Sequence, residues 1–176
     1  MRIKSGQLGT PRAACPQWPS SRGFSLIELL IVVAIILIIA AIAIPNFLRS
    51  RMAANEAAGV AACKKILTAE VVYSTMYGRG FSEELSYLGP PAGGGATSSL
   101  AAGLLDEVLV TGRKHGYIFN YVPIDTNSDG IYESFTLNAD PQSPGITATR
   151  YFFIDASGVV RQSRTGPATS ASTPLD

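Results

Sequence analysis

Arg22-Gly23-Phe24-Ser25-Leu26-Ile27-Glu28, followed by an apolar run unbroken to Ile44 and then Pro45, sets the terms for everything downstream. From Phe24 to Ile44 there are 21 residues with Glu28 as the only charge, and as a helix that length crosses roughly 30 Å of hydrocarbon. The stretch therefore reads as a transmembrane helix with one carboxylate inside it. An unpaired charge at the bilayer centre costs roughly 2.5 to 3.5 kcal/mol on insertion scales, so Glu28 demands a partner. Cutting would create one. Cleavage after Gly23 makes Phe24 the N-terminus and Glu28 the fifth residue, one helical turn from the terminal ammonium of its own or a neighbouring chain. A secretory signal peptide is cut at a small residue after its apolar region, whereas Gly23 precedes the run, so the apolar segment is expected to be retained.

The basic residue, the Gly23-Phe24 junction, Glu28 at the fifth position after it and Pro45 at the twenty-second together resemble the processing site of type IV pilins and pseudopilins. The resemblance covers residues 22 to about 52. It implies cutting between Gly23 and Phe24 by a prepilin peptidase, N-methylation of Phe24, and assembly of copies into a helical filament through the long N-terminal helix. Phe24 and Glu28 would be the assembly residues. An inner-membrane assembly platform with its ATPase would supply the work, and membrane lipid would hold the subunit beforehand. Many pilins close a C-terminal loop with a disulfide. Here Cys15 would leave with the leader, and Cys63 alone remains in the mature chain. Cys63 reads as a small buried apolar residue.

At 176 residues and 47% apolar, the chain is too hydrophobic for disorder and long enough for one small domain beside the span. Four of its 14 basic residues, Arg2, Lys4, Arg12 and Arg22, lie before the expected cut. The mature chain then has 10 basic and 13 acidic residues, a net charge of −3. The basic leader orients the span with the leader in the cytoplasm and the C-terminal domain outside. That makes the precursor a single-pass inner-membrane protein, and the assembled form periplasmic or cell-surface. No basic, aromatic-interleaved patch suggests nucleic acid.

Five segments are expected: a cleaved, unstructured leader 1–23, a long helix 24–77 with its transmembrane part at 24–44, a connecting region 78–114, a sheet 115–164 and a flexible tail 165–176. Pro45 should kink the helix, because it lacks an N–H and clashes with the preceding turn. Gly59 weakens the helix again by about 1 kcal/mol relative to Ala, which close packing would explain. Beyond it run two apolar stripes, Val60, Cys63, Leu67 and Val71, and Ile66, Ala69, Tyr73 and Met76, as if the helix packs on two surfaces. The Gly-rich stretch 89–95 cannot hold regular structure, whereas Leu100, Leu104, Leu105 and Val108 predict a short helix. Four strands are predicted, 116–122, 132–137, 150–154 and 159–162. Short connections make them an antiparallel meander. The fold class is α+β, pilin-like: a long N-terminal helix, transmembrane in its first half and kinked at Pro45, packed on a small antiparallel sheet.

Outside the span, Asp125-Thr126-Asn127-Ser128-Asp129-Gly130-Ile131-Tyr132-Glu133 spaces oxygens like the first half of a calcium loop, with Asp125, Asn127, Asp129, the Ile131 carbonyl and Glu133 as candidate ligands. The twelfth position is Thr136 rather than a bidentate Glu. A polar hairpin connection turning at Asp129-Gly130 fits the same residues, and both readings stand open. No other cofactor is implied. His115 is the only histidine and has no metal cluster or nucleophile around it, so the chain is not read as an enzyme. The leading reading is a pilin subunit that works by polymerising. A type II secretion pseudopilin is the alternative, although the Trp-Gly motif of its major subunit is absent. A minor subunit acting as a tip binding module is the second alternative.

Overall fold

The computed structural model describes residues 23–175, so the expected leader with Cys15 and Trp18 lies outside the described residues except for Gly23. The chain divides into a unit ending at Ala41 and a unit beginning at Ile42. Helix α1, Leu26–Tyr77, runs through both and continues unbroken across Pro45. Residues 46–77 contain no further proline and are rich in Ala, Leu, Lys and Arg, good helix formers that sustain the run.

In the first unit the side chains of α1 are left uncovered by the other described residues. Its most apolar 18-residue window has a mean hydropathy of 3.3 and none of it is buried. A helix apolar on all sides needs lipid or another apolar surface to cover it. Among the described residues α1 is the one helix long and apolar enough to cross a membrane.

In the second unit α1 packs on a six-stranded sheet in the order β1-β2-β3-β4-β5-β6, every neighbour antiparallel. The strands are β1 Arg113–Lys114, β2 Tyr117–Ile124, β3 Ser134–Pro141, β4 Tyr151–Asp155, β5 Arg161–Ser163 and β6 Thr173–Pro174. Alternation sorts their side chains into faces: Phe135, Leu137 and Ala139 of β3 and Phe152 and Ile154 of β4 are fully buried beneath the helix. Burying one large apolar side chain contributes roughly 1.5 to 3 kcal/mol, so this central layer, not the two-residue edge strands, holds the fold together.

The buried face of α1 is one stripe, Glu56, Gly59, Ala62, Cys63, Ile66, Ala69, Glu70 and Tyr73. It draws Cys63 from one expected stripe and Ile66, Ala69 and Tyr73 from the other, and leaves Val71 and Met76 half exposed or more. The two-stripe division is thereby corrected. A 3.6-residue period places positions 59, 63, 66, 70 and 73 in line, and the two sets had been cut across that line. Gly59 is there for packing: a Cβ on it would stand 2.9 Å from the Tyr117 ring. Cys63 is fully buried, and burial pushes its thiol pKa up to about 12, so it behaves as an apolar filler.

Three further expectations need correction. The helix anticipated around Leu100 to Val108 shrinks to α2, Glu107–Val110, capped by Asp106, which accepts from the Leu109 N–H. Upstream, the N–H groups of Ala102, Leu104 and Leu105 go to carbonyls of Tyr87 and Leu88, so that backbone is spent on a neighbouring segment instead of a helix. A short 3-10 turn, Ala92–Gly94, forms inside the 89–95 stretch where no regular structure was expected, and another, Leu85–Leu88, precedes it. The four-strand count becomes six, with β2 and β3 each longer than anticipated. Pro123 does not stop β2, because it lies on the side of Phe119, whose N–H bonds Gly112, and β1 ends before reaching it.

The C-terminal segment is also not a free tail. Thr173–Pro174 pairs with β5, the Leu175 N–H bonds the Val160 carbonyl, and Ala168 is buried under an Asn138 amide that donates to its carbonyl at 2.7 Å. Its Ser, Thr and Pro content hid one buried alanine and a row of backbone bonds.

Gly59→Ala should lower the melting temperature of the full-length protein in detergent micelles. The helix-propensity gain of about 1 kcal/mol is outweighed by an overpacking cost of about 1 to 3 kcal/mol against a ring held by its own hydrogen bond. An unchanged or raised melting temperature would show that the Tyr117 ring yields freely.

Candidate functional site

The N-terminal segment is built from an extended lead-in and a bare helix start. Gly23, Phe24 and Ser25 precede α1, and the Ser25 carbonyl accepts the first helical hydrogen bond, from Leu29 N–H at 3.2 Å. Phe24 is 68% exposed, and Glu28 lies exposed in the first helical turn. A carboxylate in a first turn faces the unsatisfied N–H groups and positive end of the helix dipole. Gly23 has open space around its Cα. The expected junction is therefore sterically accessible, with Phe24 and Glu28 both presented outward.

The 125–133 loop joins β2 to β3, which pair from Ile124 with Ser134. Carboxylate oxygens of Asp125, Asp129 and Glu133 lie within 4.8 Å of one another, so these three are brought together. The same oxygens already hold the loop in shape. Asp125 accepts from the N–H groups of Asn127, Ser128 and Gly130; Asp129 accepts from Ile131 N–H and the Asn127 amide; Glu133 accepts from Thr126 N–H. Ser128 and Gly130 take positive φ, and the connection turns on Asp125 rather than on Asp129-Gly130 alone. Asn127 directs its side-chain oxygen to Asp129 N–H. His115 occupies a two-residue hairpin turn with Gly116, both at positive φ, between the paired residues Lys114 and Tyr117.

Two carboxylates that sequence reasoning passed over tie α1 to the segment leading into β4 and to the loop that follows α1. Glu56 accepts from Thr149 N–H and Oγ1, from Arg150 N–H, and from Arg150 Nε at 2.7 Å. Burial works against its charge, but the bonds from Thr149 and Arg150 prevail and hold its pKa below the usual carboxylate value. Fourteen residues on, Glu70 is fully buried with no basic partner among the described residues, its oxygens taking Ser82 N–H and Oγ. There burial prevails and the pKa is raised. The detectable signal was their phase, since both fall on the apolar face of an otherwise regular stripe.

The two shifts give opposite linkage. Glu56, depressed, contributes stability that is present above its unfolded pKa and is lost as pH falls through the folded value. Glu70, raised, contributes most below its unfolded pKa, and that contribution is lost as pH rises through the folded value. At pH 7 to 8, Glu56→Gln should destabilise by about 1 to 3 kcal/mol through loss of a charge-assisted bond. Glu70→Gln, which can still accept from Ser82 N–H, should stabilise and remove the fall in stability above the ordinary carboxylate value of 4.5. Melting the two variants across pH 4 to 8 in micelles checks both signs. Equal slopes would remove the distinction.

Comparison with known proteins bears on the first of these regions. Residues 18–44 match the family described as the prokaryotic N-terminal methylation motif. The chain is 50% identical over 52 residues to the type IV major pilin protein PilA of Myxococcus xanthus, covering 30% of this chain and 24% of that one. It is 60% identical over 37 residues to the type IV wide pilus major component PilA4 of Thermus thermophilus, covering 21% of this chain and 28% of that one. The matches thus span about a quarter of the length of these relatives. No solved structure matches. Part of the chain is thus similar to two type IV pilins, and residues 18–44 carry the methylation motif.

Proposed function

We propose that this chain, whose N-terminal segment is similar to those of type IV pilins, is a filament-forming structural subunit, cut between Gly23 and Phe24 and methylated on the new Phe24 amine. The observation that carries the reading is one bare apolar helix with a lone Glu28 in its first turn, inside a matched methylation motif. Before assembly lipid covers that helix; in the filament other copies do. Transfer between two apolar surroundings costs little, so the hydrophobic effect opposes neither state. Glu28 then supplies direction by pairing with a Phe24 ammonium, an interaction worth most where water is excluded. A prepilin peptidase, an inner-membrane platform and its ATPase are the partners this reading requires. The work is mechanical, with no catalytic step assigned to the chain.

A secretion pseudopilin is the second reading. It is favoured by the convergence of Asp125, Asp129 and Glu133, where calcium would join oxygens from Asn127 and Ile131. Ionic oxygens at that spacing suit a hard cation, and a loop already shaped by its own bonds loses little freedom on binding. The pilus descriptions of both relatives favour the first reading.

Mass spectrometry of the mature protein should find an N-methylated Phe24 terminus, and Glu28→Val should leave the membrane pool intact while reducing filaments at least tenfold. A mature chain beginning elsewhere, or normal filament yield from the variant, overturns the reading. For calcium, the full-length protein in micelles should melt higher with the ion than with chelator, by the equivalent of about 1.4 kcal/mol at tenfold excess over the dissociation constant. Asp129→Ala should abolish the difference. Equal melting in the unmutated protein assigns 125–133 to the hairpin alone.

A further inference from the structure

The apolar surface of α1 continues past Pro45 to Phe47 and Leu48, which are 66% and 48% exposed. Arg49-Ser50-Arg51 follows, with both arginines exposed. Among the described residues, side-chain hydrogen bonds from α1 to the rest of the second unit begin only at Asn55, whose Nδ2 donates to the Thr147 carbonyl at 2.8 Å. Between Glu28 and Glu56 the two arginines are the only charged residues. Glu56, the acidic residue nearest to them in the chain, is already held by Arg150 Nε at 2.7 Å and by the Thr149 N–H. Neither arginine forms a salt bridge among the described residues. Two positive charges thus stand without a protein counter-charge where the apolar surface ends.

Helix geometry decides what kind of counter-charge fits. At about 100° and 1.5 Å per residue, Arg49 and Arg51 lie roughly 160° apart around the axis but only about 3 Å apart along it. A second protein copy approaching from one side would meet one of them. A layer of negative charge surrounding the helix at a single level would meet both, and the phosphates of a bilayer form such a layer. The residue count agrees with that level. Phe24 to Leu48 is 25 residues, about 37 Å as a helix, which exceeds the roughly 30 Å hydrocarbon core and stays within the roughly 40–45 Å that includes the headgroups. The residue after such a run falls among headgroups, where an arginine stem can lie along apolar surface while its guanidinium takes two phosphate oxygens.

We propose, on the reading that lipid covers α1 before assembly, that Arg49 and Arg51 bind the phosphates of anionic phospholipid at the C-terminal end of the span, one on each side of the helix, and so set the depth at which the subunit is held. Drawing the subunit out then breaks two charge-assisted contacts, a resistance that transfer between apolar surroundings does not itself provide.

Electron spin resonance of spin-labelled lipids measures which headgroup is enriched beside a protein. The full-length chain would be reconstituted in phosphatidylcholine vesicles containing a minority of phosphatidylglycerol. An arginine near an anionic surface is worth about a fivefold preference. Unmodified protein should therefore enrich labelled phosphatidylglycerol severalfold over labelled phosphatidylcholine. Arg49→Gln and Arg51→Gln should each lower the enrichment, the double variant should lower it most, and added salt should act in the same direction. Replacing both by Lys, which keeps the charge, should retain most of it. The basic residues of the leader attract the same lipid at the other face in every variant, so the differences between variants carry the result. Equal enrichment in the unmodified protein and the double glutamine variant overturns the proposal. So does a loss confined to one arginine, which would assign that residue to a one-sided protein contact. Release of the unmodified protein from the vesicles by alkaline carbonate would instead remove the lipid-covered helix itself.

Discussion

Contact between the Tyr117 ring and the Cα of Gly59 is the constraint on which the second unit depends. It sets how near α1 comes to the sheet, and the residues around it close a circuit. The Tyr117 hydroxyl donates to the Arg150 carbonyl, Arg150 donates through Nε to Glu56, and Glu56 sits one turn before Gly59 on the same helix. Each member fixes the next, so the helix cannot slide or roll without breaking a polar bond as well as losing apolar contact. Glu70 and Ser82 make a second fastening further along, reinforced by the Tyr121 hydroxyl on the Ser82 carbonyl. Apolar burial supplies most of the energy in such a layer, and these directional bonds select one register from the many that burial alone would tolerate.

The long helix, the lone carboxylate and the antiparallel sheet were legible before any coordinates, because each rests on a short-range pattern. An unbroken apolar run, a charge at a fixed offset and a period of two need only neighbouring residues. Elements whose partners lie far off in sequence were not legible. Residues 100–105 have helical spacing, yet the N–H groups of residues 102–105 go to carbonyls of Tyr87, Leu88 and Gly89, and Gly103 takes a positive φ. The tail has the composition of a linker and is nevertheless stitched to β5 by pairing that composition does not encode.

The same division applies to the sites. The expected site at Gly23, Phe24 and Glu28 rests on nearly contiguous residues, and their coordinates add exposure and the start of the helix. In the 125–133 loop the ligand-like spacing was visible, whereas the backbone N–H groups that share those oxygens were not. Arg49 and Arg51 stand plainly in the sequence, but their lack of an acidic partner among the described residues depends on Glu56 being held by Arg150, 94 positions further along the chain.

The open flank of β2 carries a consequence of its own. Beyond Phe119 this strand has no neighbour on the β1 side, and a row of free backbone groups there would invite another chain's strand. Pro123 removes one of the donors, and β6 at the other margin is only two residues long. Copies of this domain crowded side by side therefore have little template for sheet-to-sheet growth, the route that leads to amyloid. Among the described residues, the run of exposed apolar side chains along the N-terminal part of α1, from Leu26 to Leu48, is then a larger surface for association than either sheet margin.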